Sequence, residues 1–107
     1  MAAQITFDSV QTSQQLPGLT IPITASLIVA GAIATSDFSL VHHDKAQAQA
    51  AGTPDIFMNI LTSNGLVQRF VGDWAGPGAR VRGLKIRLGA PNFPGDSMTM
   101  SGTVQSK

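Results

Sequence analysis

Apolar positions recur along the chain in several segments, and their spacing changes from one to the next. LTIPIT (19–24) is short and β-branched, which predicts a strand. In ASLIVAGAIA (25–34) apolar residues run together behind Thr24, a helix-capping residue, so a short helix ending near Ser36 is expected. The segment IFMNILTSNGLVQRFVGDW (56–74) sets Ile56, Ile60, Leu61, Gly65, Phe70 and Val71 close to helical spacing, widened by Leu66 and Val67. It reads as the one long helix, and so broad an apolar face has to be wrapped by other elements. Gly65 inside it costs about 1 kcal/mol against alanine, which points to close packing there.

Further on the period becomes two. RVRGLKIRL (80–88) sets Val81, Leu84, Ile86 and Leu88 against Arg82, Lys85 and Arg87, with a slip of phase at Gly83 that predicts a bulged strand. SMTMSGTVQ (97–105) alternates with Met98, Met100 and Val104 as inward positions. Between these segments, DKAQAQAAG (44–52) predicts a short helix capped by Asp44 and stopped by Gly52. AGPGA (75–79) and GAPNFPGD (89–96) are turns, and residues 1–18, polar and Gln-rich, form a flexible lead-in. The sum is an α+β fold in a single domain over 19–107, a long helix with antiparallel strands.

Composition narrows the functional classes. A chain of 107 residues holds one small core. Charged residues make up 12%, about half of the usual ~25%, and the net charge of +1 carries neither a nucleic-acid footprint nor an acidic tail. With no cysteine there is no disulfide, thiolate zinc site or cysteine nucleophile. Few charges beside 43% apolar residues point to a surface that a partner covers. The apolar run 21–34 lacks a basic leader and falls short of the ~20 residues a membrane helix needs, so a soluble, cytoplasmic protein is expected.

Candidate chemistry is concentrated in ATSDFSLVHHDK (34–45), which holds both histidines and two carboxylates. A metal site needs about three convergent ligands. The neighbours His42 and His43 diverge, and no later His or Glu completes a set, so no metal is expected. Asp37 and His42, with four residues between them across a turn, could share one water and move protons near neutral pH. Spacing alone favours the other reading, a plain polar surface turn with a capping Asp and solvated histidines. On either reading His43 is a plain surface residue and Asp44 a helix cap. Trp74 reads as a core or partner anchor, Arg69 as helix surface, and Met98 and Met100 as core filling.

Two segments carry a resemblance. SDFSLVHHDKAQAQAAG (36–52) resembles the signature of the MaoC-like, (R)-specific enoyl-CoA hydratases, and RVRGLKIRLGAPNFPGDSMTMSGTV (80–104) is similar to their later R-x-x-x-P-x-x-P-G-D segment. DIFMNILTSNGLVQRFVGDWAGP (55–77) more specifically resembles the small catalytic subunits of actinobacterial steroid side-chain enoyl-CoA hydratases, enzymes of cholesterol catabolism. The resemblance implies a hotdog fold, a long helix wrapped by an antiparallel sheet. It implies that Asp37 and His42 hold the water added across the C2–C3 double bond of a bulky acyl-CoA. Backbone N–H groups at the start of the long helix, Asn59 first among them, would receive the thioester oxygen. No cofactor is implied beyond the coenzyme A of the substrate, and the expected partner is a second MaoC-like hotdog subunit or a second copy of this chain. The alternative is a non-catalytic binding or scaffold subunit of an acyl-CoA-processing complex; a hotdog thioesterase is a third reading.

Departures from the family pattern are Ser36 for its Gly, Ser39-Leu40 for its Asn-Pro, and Met58-Asn59 for the His-Gly before its helix. Family members also continue beyond the strand at 97–105 into two more strands in the middle of the sheet, so a sheet lacking them is expected here.

Overall fold

A computed structural model describes residues 4–107; the first three residues of the lead-in lie outside them. The elements in order are β1 (Leu19–Pro22), α1 (Ala25–Ala34), α2 (Lys45–Ala50), α3 (Ile60–Ala75) and β2 (Ser97–Met100). Single 3-10 turns occur at Phe7–Ser9 and Leu40–His42. No helix among the described residues is long and apolar enough to cross a membrane.

β1 and β2 pair antiparallel, with Leu19 opposite Met100 and Pro22 opposite Ser97. Pro22 cannot donate to a ladder, and the strand ends there. Just beyond, Ile23 and the turn at Gly95-Asp96 exchange backbone hydrogen bonds of 2.8 Å each, which closes the end of the ribbon. Gly95 has φ +95°, a conformation open to glycine at no steric cost. Residues of the lead-in meet the same ribbon: Gln15 forms an isolated bridge to Thr103.

Each helix begins on a polar side chain. Thr24 Oγ1 accepts from the Leu27 N–H at 3.0 Å to start α1. Asp44 Oδ1 accepts from the Gln47 N–H at 3.2 Å to start α2, as its position predicts. Gly52, at φ +105°, follows the end of α2. The core lies between the ribbon and the helices: Ile21, Ile23, Ile28, Ala48, Ile56 and Met58, with Leu27, Leu66, Met98 and Met100 packed against them.

Several expectations are corrected. The long helix begins at Ile60, with Asn59 as its cap, and Ile56 and Met58 enter the core from the extended chain before it. Its buried residues are Thr62, Ser63 and Phe70, whereas Ile60 and Leu61 are 57% and 52% exposed. The helix therefore turns a small polar face inward near its start, which periodicity of apolar residues does not reveal. Close packing sits at Gly31 of α1, where a Cβ would collide with Thr62 Oγ1 and lie 2.8 Å from Thr62 Cγ2; around Gly65 nothing lies within 4 Å. Residues 80–88 form no strand: the alternating pattern is there, but no described strand lies beside it to supply a ladder. Regular pairing of the last segment ends at Met100, leaving Val104 half-buried in a loop.

Candidate active site

The segment between α1 and α2 carries the two residues singled out for proton chemistry. Thr35 closes α1, and Ser36 then takes a left-handed φ of +57°, which turns the chain sharply into Asp37. The 3-10 turn Leu40–His42 brings the chain back. Asp37 Oδ2 and His42 Nε2 come within 3.3 Å, so the turn joins what the spacing left open. His42 is buried, and its ring meets Phe57 edge-on, centroid to centroid 4.9 Å.

The other side of the imidazole fixes its tautomer. His42 Nδ1 lies 2.6 Å from the Phe57 carbonyl oxygen. A carbonyl only accepts, so Nδ1 carries the hydrogen, and a neutral His42 turns the lone pair of Nε2 toward Asp37.

Asp37 is held from three sides. Its Oδ2 accepts from Asn59 Nδ2 at 3.0 Å, and its Oδ1 accepts from the Ser39 N–H at 3.2 Å. Its backbone carbonyl is 2.8 Å from His43 Nε2, so His43 supports the turn from behind, a contact that its reading as a plain surface residue missed. Together these hold the Asp37 carboxyl below the ordinary carboxylate value of 3.8. The Asn59 hydrogen bond contributes most, then the Ser39 N–H; burial opposes them, and the fields of His42 and then His43 are each smaller than the burial effect.

Asn59 lies at the centre. Its Oδ1 accepts from the Thr62 N–H at 3.0 Å and from Thr62 Oγ1 at 2.5 Å, and its Nδ2 also donates to Thr35 Oγ1 at 2.9 Å. The sequence reading valued only its backbone N–H. The available signal was an Asn three residues ahead of a Thr at the start of an apolar run, an N-cap pattern hidden by starting the helix at 56.

These groups line a cleft of about 400 Å³. One wall is Asp37 and His42, the second is residues 57–61 at the start of α3, and the third is residues 88–92. The Met58 N–H donates to the Asn92 carbonyl at 3.1 Å and ties the last two walls together. Ile60 and Leu61, whose N–H groups have no acceptor inside the helix, line this cleft. Arg69 does not approach it; it pairs along the helix surface with Asp73 at 3.5 Å. Trp74 lines a separate hollow with Phe70 and Leu19.

A long helix packed with an antiparallel ribbon, and an Asp–His pair in a cleft at the helix start, are features of a hotdog hydratase-type domain, and similarity to known proteins agrees. The chain matches the MaoC-like domain family over residues 8–107 and belongs to it. It is 51% identical, over 89 residues, to the 3-oxo-4,17-pregnadiene-20-carboxyl-CoA hydratase beta subunit of Mycobacterium tuberculosis, a match covering 83% of this chain and 69% of that one. Among solved structures it is similar to the ChsH1–ChsH2 complex from Mycobacterium tuberculosis, with TM-score 0.89 and 46% identity over 91% of this chain and 76% of that chain. The R-hydratase PhaJ1 from Pseudomonas aeruginosa has the same fold, with TM-score 0.88 at 22% identity over 97% of this chain and 67% of that one.

Proposed function

We propose that the chain is the catalytic subunit of a 2-enoyl-CoA hydratase that adds water across the C2–C3 double bond of a bulky, steroid side-chain acyl-CoA. The observation that carries this reading is the pairing of Asp37 Oδ2 with His42 Nε2 at 3.3 Å on the wall of an open cleft. An ionised carboxylate and an unprotonated imidazole nitrogen are both acceptors. A molecule with two O–H donors suits the space they face, and water is such a molecule. The steroid class rests on the 51% identity to a hydratase subunit named for a pregnadiene carboxyl-CoA.

In the reaction, the water oxygen bonds to C3 while one of its hydrogens passes to the Asp37/His42 pair. The C2–C3 π electrons move to C2 and out onto the thioester oxygen. The pair then returns a proton to C2, so one water is added and nothing is oxidised or reduced. Because the two groups lie 3.3 Å apart, they act as a unit. The N–H of Asn59, at the positive end of α3, donates to the thioester oxygen as negative charge develops there. No cofactor takes part; the substrate carries coenzyme A, in keeping with a cytoplasmic setting. A second MaoC-like hotdog subunit completes the assembly, as the similarity to a chain of a two-component complex supports.

The test is hydration of a steroid 2-enoyl-CoA, followed by loss of enoyl-thioester absorbance, for the complex carrying Asp37→Asn, His42→Ala or both. Each single change is expected to lower kcat by roughly 10²- to 10⁴-fold, as for loss of general acid–base catalysis. The double variant should be little worse than the poorer single one, because the groups act together. Independent, multiplying effects would contradict the pair, and wild-type levels in either single variant would remove it from the chemistry.

A further inference from the structure

The Asn59 side chain does more than start a helix. A cap needs only the side-chain oxygen, and Ser, Thr or Asp would serve α3 about as well. Here Oδ1 is held by two donors of Thr62, and the Thr62 N–H can only donate, which fixes which end of the amide is which. The two hydrogens of Nδ2 are therefore directed the other way, one to Asp37 Oδ2 and one to Thr35 Oγ1. Thr35 in turn donates its own hydroxyl hydrogen to the Gly31 carbonyl at 2.8 Å, which leaves a lone pair for Asn59. All four hydrogen-bonding positions of a side chain that is only 3% exposed are filled. Among the residues favoured at helix starts, only Asn accepts from the helix while directing two amide hydrogens away from it.

We infer that the Asn59 side chain is a positioning residue of the proposed hydration, pinning Asp37 Oδ2 in the orientation that faces His42 Nε2. This rests on the hydratase reading above. The oxygen Asn59 holds is the one 3.3 Å from His42, while the Ser39 N–H holds the other, so carboxylate rotation is blocked at both ends. The link also joins the end of α1 to the start of α3, so the helix that lines the cleft and the carboxylate that works in it share one anchor. The titratable groups facing Asp37 are His42, at its carboxylate, and His43, at its backbone carbonyl.

Asn59→Asp separates capping from pinning. It keeps a good cap but replaces the donor with a second carboxylate beside Asp37, while Asn59→Ser keeps a cap and, without adding charge, removes both amide hydrogens, leaving one hydroxyl on a shorter side chain. In the complex, with α3 content checked by circular dichroism, Asn59→Asp should lower kcat by about 100-fold with KM little changed, the scale of a misplaced catalytic group. The acid limb of kcat should move up by about one pH unit or more, as beside a like charge, and Asn59→Ser should move it the same way by less. A profile superimposable on wild type in either folded variant overturns the inference. Carbon-13 NMR titration of the Asp37 carboxyl in the full chain reads the pinning without turnover. A raised titration in both variants upholds it, and an unchanged one overturns it. Loss of the hydratase reading itself would show instead as a wild-type complex that hydrates nothing.

Discussion

At Asp37 the local chemistry of the site converges on one group. Both of its oxygens accept hydrogen bonds within the chain, from Asn59 and from the Ser39 N–H, and its folded titration lies below the ordinary value of 3.8. A carboxyl lowered in this way favours the folded state when ionised. That contribution is fully present above the ordinary carboxylate value and is lost as pH falls through the lower folded one. The stability difference between wild type and Asp37→Asn, measured by urea unfolding, should therefore be flat at neutral pH and shift toward the variant as pH drops below 3.8. A difference that stays constant down to the acid limit would contradict the anchoring. At this scale the sequence was informative where contacts are local: Asp37 and His42 meet through a single turn. The Asn59–Asp37 bond was hidden because it spans 22 residues and depends on where α3 begins.

Helices show the opposite balance of signals. That a long helix follows Pro54 was plain from its apolar spacing, but its buried face was not, because Thr62 and Ser63 point inward while Ile60 and Leu61 do not. The reason lies on α1: Gly31 lets the two helices approach closely at Thr62, the same Thr62 that holds Asn59. A methyl group at Gly31 is thus expected to destabilise by about 1–3 kcal/mol through overpacking, and to weaken the Asn59 anchor along with it. In Gly65→Ala the new methyl meets nothing within 4 Å. There the gain in helix propensity should stabilise the chain by about 0.5–1 kcal/mol. Thermal or urea midpoints check both; equal effects of the same sign would show that the helix contact is misplaced. Residues 80–88 failed as a strand for a related reason, since alternation describes faces but a strand exists only where another strand pairs with it.

Over the whole molecule, the chain is elongated, 52 × 23 × 22 Å, with a radius of gyration of 16.1 Å against about 13 Å for a compact chain of this length. Ile60, Leu61, Val81, Leu84 and Leu88 stand exposed, the first two and the last at the cleft itself. The shortage of charge and abundance of apolar residues already pointed to a covered surface, whereas which apolar residues stand exposed required the arrangement of α3 and 80–88. A cleft walled by exposed apolar side chains suits a bulky acyl group only once water is kept from it, which a second hotdog subunit would do. The most direct measurement is the hydration rate of a steroid 2-enoyl-CoA by the wild-type chain alone and mixed with a MaoC-like partner subunit. Activity that is weak or absent alone and rises with partner until the complex saturates is the expected result. Equal activity with and without the partner would contradict the heteromeric assembly, and a folded complex that hydrates no enoyl-CoA would contradict the hydratase and favour a binding subunit.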